Sequence, residues 1–290
     1  MYAITGITGQ VGGAVARNLL AQGKQVRAIV RNAAKGQAWA ERGCEVAFAE
    51  INDTDALTKA FEGAAGVFVL LPPVFDPTPG FPEAQGAIDS IRKALSTARP
   101  GRVVCLSTIG GHVKKTNLLN QLHVMETVLG GLGLPISFLR AAWFMENSAW
   151  DVAPARASGV IPSFLQPLDK PFPMIATEDI GRVAADLLVA PSQPPQVVEV
   201  EGPKRITPNE IADIFSKLLG NDTRMQVVPR DSWETLLRSQ GMKNPTPRMQ
   251  MLDGFNEGWI EFEGGEANSL KGATPLEAVL RSMVQAKTEQ

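Results

Sequence analysis

Tyrosine, histidine and cysteine are scarce in this chain, and each scarcity closes off chemistry. Among 290 residues there are one tyrosine, two histidines and two cysteines. With only His112 and His123 to offer imidazole, a structural zinc centre lacks ligands, and no metal site is expected. Cys44 and Cys105 both fall in strand-like runs, so a buried, reduced thiol is expected for each, with no disulfide and the cytoplasm as compartment. Long apolar runs able to cross a bilayer are missing. The first strand pattern begins at Met1, which predicts no leader peptide. Basic runs are missing too: the formal net charge is -2, and no stretch of Lys or Arg exceeds the pair Lys114-Lys115. Neither a nucleic-acid partner nor a membrane surface is expected, while an oligomer or protein partner is left open. The remainder is ordinary globular composition, 44% hydrophobic and 20% charged, on a length that suits one large domain carrying a smaller lobe.

The chain's most telling stretch comes first. Tyr2-Ala3-Ile4-Thr5 reads as a short buried strand, and TGITGQVG places Gly6, Gly9 and Gly12 three residues apart. A helical pattern follows from Val11 through Val15, Leu19 and Leu20 to a stop at Gly23. Strand, glycine turn and helix in that order form a dinucleotide-binding context. Gly6 permits a tight turn, Gly9 lets backbone approach a pyrophosphate, and Gly12 allows helix and strand to pack closely. The helix start then offers free N–H groups and a positive dipole end to the anion. Thr5, Gly6, Thr8, Gly9, Gln10, Val11 and Gly12 are the expected pyrophosphate contacts.

Strand and helix patterns alternate onward from there. Strands are expected at 25–31, 44–51, 66–71, 102–107 and 136–140, with helices at 34–42, from Asp53 or Thr54 to Phe61, 83–97 and 118–129. Such alternation predicts an α/β fold, a Rossmann-type doubly wound parallel sheet with helices on both faces. After Arg140 the loops lengthen and gain proline, as in VIPSFLQPLDKPFP. A helix over 178–189 capped by Thr177 and a strand over 197–201 follow, then start signals at Thr207, Asp231 and Thr274. The expected division is residues 1–150 as the nucleotide-binding domain and 151–290 as a smaller α-rich lobe, with 178–201 returning to the first domain.

The nucleotide is read from the end of the second strand. NAD-binding versions of the fold usually carry an acidic residue there for the ribose hydroxyls. This chain has Arg31-Asn32 instead, with Lys35 one helical turn further on. A guanidinium attracts a 2′-phosphate that a carboxylate would repel, so NADP(H) is expected over NAD(H).

Taken together, TGITGQVG, VRAIVRN, GVFVLLPP, LPISFLRAAWFMEN and DIGRVAADLL resemble the NmrA-like family of atypical short-chain dehydrogenase/reductases, over about residues 1 to 190. Members include NADPH-dependent quinone reductases, reductases of triphenylmethane and azo dyes, and redox-sensing regulators without known catalysis. The resemblance implies a nucleotide-binding fold strongly and a reaction weakly. Typical short-chain dehydrogenases protonate the reduced carbonyl with the tyrosine of a Tyr-x-x-x-Lys pair. The corresponding helix, NLLNQLHVMETVL, holds neither residue, and Tyr2 sits in the first strand. A tyrosine mechanism is therefore excluded.

By topology the resemblance leaves a short set of residues near the nicotinamide. Ser107 and Thr108 end the fifth strand, with hydroxyls that either bind a substrate oxygen or cap local backbone. His123 shares a helical face with Asn120 and Glu126, three residues to either side. The dye- and quinone-reducing branch carries a histidine near this place but one residue out of register, which turns a helical side chain by about 100°. His123 is thus expected to be hydrogen-bonded at the core edge, with proton donation as the alternative. Leu71, Pro72 and Pro73 are expected in the cleft. Ala142, Trp143 and Phe144 follow the sixth strand, as an aromatic wall for a flat substrate or as core packing. The favoured function is hydride transfer from NADPH to a quinone or similar flat electrophile, a small-molecule substrate that needs orientation and a dry cleft more than a dedicated acid. The alternative is a non-catalytic NADP(H) sensor that engages a protein partner.

Overall fold

The computed structural model describes residues 1–286. Its early strands are short, β-branched and separated by amphipathic stretches, and each forms the element its period dictates. In chain order the elements begin β1 (Tyr2–Ile4), α1 (Gln10–Ala21), β2 (Val26–Val30), α2 (Ala33–Ala40), β3 (Glu45–Phe48) and α3 (Thr54–Phe61). Next come β4 (Gly66–Val69), α4 (Pro82–Ala98), β5 (Val103–Thr108), α5 (Asn120–Gly130), β6 (Ile136–Ala141) and β7 (Trp143–Phe144). Then follow α6 (Val152–Ser158), β8 (Val160–Ser163), β9 (Met174–Ile175), α7 (Thr177–Val189), β10 (Val197–Glu201) and α8 (Pro208–Leu219). The last are β11 (Arg224–Val227), α9 (Trp233–Ser239), α10 (Thr246–Glu257), β12 (Leu270–Lys271) and α11 (Leu276–Ala286).

Eight strands make one parallel sheet in the order β12-β10-β6-β5-β4-β1-β2-β3. The chain winds from β1 outward through β2 to β3, then returns to place β4 on the other side of β1. That reversal is the topological switch point of a doubly wound sheet. Ala3 pairs with both Arg27 of β2 and Val67 of β4, which fixes the register at the switch. Side chains alternate across the sheet. Ala3, Val67, Val69, Val103, Cys105, Ile136 and Phe138 share a core with Leu57 and Phe61 of α3, Ile88, Ile91 and Leu95 of α4, and Met125 and Leu129 of α5. On the other face α7 meets α1 so closely that a Cβ on Gly181 would lie 2.7 Å from the Ala14 carbonyl carbon. Only glycine fits that crossing.

The chain divides into two compact units: Met1–Lys114, Leu119–Arg140 and Ile180–Val198 form the first, and Lys115–Leu118, Ala141–Asp179 and the chain from Glu199 onward form the second. Within the second, β7 pairs with β9 and β8 with β11, both parallel. Among the described residues no helix is long and apolar enough to cross a membrane.

Several local expectations change. Cys44 precedes β3 by one residue rather than lying inside it, although it is buried and, like Cys105, a free thiol. Thr177 is the first residue of α7 rather than its cap, because its hydroxyl and its N–H both donate to Glu146, at 2.7 and 2.9 Å. Asp231, expected as a helix start, lies inside a 3-10 turn from Arg230 to Ser232, and α9 begins at Trp233 with no side-chain cap bond from Ser232. The box at Thr207 is complete: its hydroxyl accepts from the Glu210 N–H at 3.1 Å, and the Glu210 carboxylate accepts from the Thr207 N–H at 2.8 Å.

Candidate functional site

The glycine turn follows β1 at the carboxyl end of the sheet. Gly6 has φ +62°, a left-handed conformation that costs other residues strain. Its carbonyl accepts from the Gly9 N–H at 2.9 Å, closing the turn. Gly9 then caps α1 with extended backbone, φ -94° and ψ 178°, with no side chain bonded to the helix start and no acidic residue in the first turn. Among the described residues neither a capping side chain nor a first-turn carboxylate thus competes for the positive end of the α1 dipole. A Cβ on Gly12 would strike the Gly6 carbonyl oxygen and come within 2.8 Å of the Ile7 nitrogen. The turn folds onto its own helix, so Gly12 is demanded by backbone of the turn rather than by helix-to-strand packing. Thr8, Gly9 and Gln10 are exposed and Val11 is buried. A turn closed to side chains, with an uncapped helix start behind it, fits a pyrophosphate.

Thr5 is buried and fully engaged. Its hydroxyl donates to the Phe68 carbonyl at 3.1 Å and accepts from the Leu70 N–H at 2.8 Å. It therefore splices the end of β1 to the end of β4 across the switch point. Leu71 is buried, whereas Pro72 and Pro73 are exposed. The Gln121 side chain of α5 donates to the Val74 carbonyl at 3.1 Å and tethers the proline loop.

At the end of β2, Asn32 caps α2, its side chain accepting from the Lys35 N–H at 3.1 Å. Arg31 and Lys35 are exposed, and neither forms an ion pair among the described residues. Asn32 shapes the loop, and its two basic neighbours remain free for an anion.

One face of α5 organises the segment after β5, with Asn120, His123 and Glu126 at a spacing of three. The Asn120 amide donates to the Val113 carbonyl at 2.9 Å. His123 Nδ1 lies 2.7 Å from the Gly111 carbonyl oxygen. A carbonyl can only accept, so Nδ1 carries the proton and neutral His123 presents a bare Nε2. Glu126 accepts from Ser107 Oγ at 2.5 Å and from Arg140 Nε and Nη2 at 2.9 and 2.7 Å. The Glu126 and Arg140 side chains are 10% and 5% exposed, so this pair has left water behind. A Cβ on Gly111 would fall 2.6 Å from Glu126 Oε1, which closes the network over that glycine. Burial pushes the Cys105 thiol above its ordinary range, and the Glu126 charge adds to the effect, so it is unreactive.

Ser107 and His123 are therefore both near the end of β5, and both give their proton to the protein. Arg140 is the functional-looking residue that sequence reading passed over, because a basic residue at a strand end normally faces water. Its partner Glu126 had been visible only through its helical spacing.

In the second unit, the Ala142 N–H donates to the Val200 carbonyl at 3.0 Å. Trp143 and Phe144 form β7, both half-buried. The Trp143 ring meets Phe255 edge-on, with centroids 5.2 Å apart and planes at 87°. That is packing of an ordinary aromatic kind.

The NAD(P)H azoreductase of Xenophilus azovorans is 25% identical over 264 residues, 89% of this chain and 85% of that protein. Quinone oxidoreductase 2 of Escherichia coli is 27% identical over 247 residues, 83% of this chain and 82% of that protein. The crystal structure of the Escherichia coli NADPH-dependent quinone oxidoreductase complexed with NADPH superposes with a TM-score of 0.81 at 23% identity, covering 98% of this chain and 99% of that one. The model of the NmrA-like family matches residues 2–258, and the chain belongs to that family.

Proposed function

We propose that this chain is an NAD(P)H-dependent oxidoreductase that passes hydride to a quinone or a similar flat electrophile, with NADP(H) as the preferred nucleotide. The observation that carries the reading is the α1 start: a left-handed Gly6, a side-chain-free Gly12 and an uncapped, acid-free first turn. In this reading the segment from Thr5 to Gly12 holds the pyrophosphate, with Thr5 setting its depth. Arg31 and Lys35 hold the 2′-phosphate, and Asn32 shapes their loop. Leu71, Pro72 and the Ser107 end of β5 flank the nicotinamide. The relatives, named as azo and quinone reductases, support the acceptor class.

The nicotinamide, when bound, supplies a hydride with its electron pair. The protein's share is to fix orientation and exclude water. The buried Ser107–Glu126–Arg140 network holds the β5 end rigid, and the tether from Gln121 to Val74 steadies the proline loop over the switch point. Because a quinone delocalises the charge it gains, the reaction proceeds without a tyrosine acid. The free thiols of Cys44 and Cys105 suit the reducing cytoplasm.

Following NADPH absorbance with menadione tests the proposal, and steady oxidation dependent on protein is the expected result. A second reading, a nucleotide sensor, draws on one observation: the protons of Ser107 and His123 are both donated to the protein. Tight NADPH binding without turnover across quinones and dyes would favour that reading and sink the first.

A further inference from the structure

The loop after β5 displays His112 between two clamps. Consecutive turns shape it, with the Gly111 N–H donating to Thr108 O at 3.0 Å and the Val113 N–H to Gly110 O at 2.9 Å. The carbonyl of Gly111, just before His112, is held by His123 Nδ1 at 2.7 Å, and that of Val113, just after it, by the Asn120 amide at 2.9 Å. The backbone on both sides of His112 is therefore fixed from α5. The loop lies at the carboxyl end of β5, the strand beside β4 in the sheet order, the end where doubly wound sheets bind ligands.

The imidazole itself is placed asymmetrically. The residue is half-buried, and Nδ1 is withdrawn from solvent with no hydrogen-bond partner among the described residues. A proton on Nδ1 would be a buried donor with nothing to receive it, the rarest kind of orphan in folded proteins. An imidazolium would bury that same orphan donor together with a charge. The tolerable form is neutral, with Nδ1 as a bare lone pair and the proton on Nε2, which is not among the buried unpaired atoms. His123 has the opposite tautomer, since its Nδ1 donates inward. Of the chain's two histidines, only His112 in its neutral form has an N–H to give outward.

We propose that His112 Nε2–H is the hydrogen-bond donor that meets the acceptor's oxygen as hydride arrives, in place of the missing tyrosine. The proposal rests on the oxidoreductase reading and adds a residue to it. Neutral imidazole is known as an electrophile that polarises a carbonyl without surrendering its proton. The balance is simple. Acceptor, NADPH and one proton give hydroquinone and NADP+. The hydride, one hydrogen with its electron pair, comes from the reduced nicotinamide, and the one proton comes from solvent. His112 ends each cycle as it began, having stabilised the oxygen while it was negative.

Histidine-selective 15N NMR on the whole chain tests the assignment without turnover, and His112→Gln identifies the signal. In the neutral ring His112 should be pyridine-like at Nδ1 and carry the N–H at Nε2, with His123 reversed. Adding 1-naphthol, an inert mimic of a hydroquinone, in the presence of NADP+ should shift His112 Nε2. In steady-state assays with menadione, His112→Leu should lower kcat about tenfold or more, while His112→Gln, whose amide keeps a donor, stays within about threefold. An Nδ1–H tautomer or an imidazolium at His112 overturns the proposal. So does a His112→Leu enzyme as fast as wild type, or a glutamine variant as slow as the leucine one. If wild type turns over no quinone, the oxidoreductase reading fails on its own. The naphthol shift then still decides whether Nε2 faces a ligand, and its absence overturns the assignment.

Discussion

Glu126→Gln is the most informative single change, because it keeps the shape of the β5–α5 network and removes its charge. In the native protein one carboxylate answers a guanidinium 5% exposed and a serine hydroxyl 2.5 Å away. With glutamine, Arg140 keeps its charge but faces a neutral amide whose one oxygen cannot serve both Arg140 nitrogens and Ser107. Breaking a buried pair in this way typically costs about 3–5 kcal/mol, since a buried guanidinium loses the carboxylate that faces it. For a chain of this size each kcal/mol is worth about 2–4 °C, so the melting temperature should fall on the order of 10 °C. Circular dichroism and tryptophan fluorescence melts should report the same drop. Replacing both partners, as in Glu126→Gln/Arg140→Met, removes the guanidinium charge as well and should restore part of the loss. The cycle would then show strong coupling. A cost below about 1 kcal/mol for Glu126→Gln, or a double variant as unstable as the summed singles, would refute the claim that the pair is desolvated and mutually dependent.

How far the site is legible in the sequence depends on how local each cause is. The turn at Gly6–Gly12 is legible because its demand is written within seven positions: a left-handed φ, an extended cap and a helix that leaves no room for a Cβ. The Thr207–Glu210 box is legible for the same reason. The α5 face is half legible. Spacing alone groups Asn120, His123 and Glu126, yet their partners Val113, Gly111 and Ser107 are chosen by the path of a loop that no periodicity describes. Arg140 was invisible, because burial of a guanidinium makes sense only once Glu126 arrives from another element. Thr177 looked like a cap until Glu146, 31 residues earlier, took both of its protons. Two-residue strands such as β7, β9 and β12 are too short for a period of two to register.

The remaining predictions concern nucleotide choice, pH and the histidine on α5. NADPH should bind more tightly than NADH, and Arg31→Asp should abolish or reverse the difference, since a charged hydrogen bond to phosphate is worth about 1.5–3 kcal/mol, or tenfold and more in affinity. Equal affinities of wild type in a fluorescence titration would remove that argument. Burial pushes the Asp151 carboxyl up to about 7, against a smaller opposing pull from its hydrogen bond with Ser148. The folded state thus holds a proton that the unfolded chain releases at ordinary carboxylate pH. The stability this gives is present in acid and is lost as pH rises toward 7, by up to about 4 kcal/mol. Urea midpoints should fall from pH 5 to pH 8 more steeply in wild type than in Asp151→Asn, and parallel curves would contradict it. His123→Ala is the sharpest of the three. Its neutral ring spends the Nδ1 proton on the Gly111 carbonyl, so nothing is left to give a substrate unless the ring is charged. A true general acid typically contributes a factor of about a hundred or more. The alanine variant gives up one of the hydrogen bonds that hold the 107–113 segment, while Asn120 and Glu126 keep theirs. Turnover with menadione should therefore fall by less than about tenfold, and a slightly lower melting temperature should accompany it. A loss near a hundredfold, with folding and NADPH binding intact, would make His123 the acid and leave its Gly111 contact a resting pose.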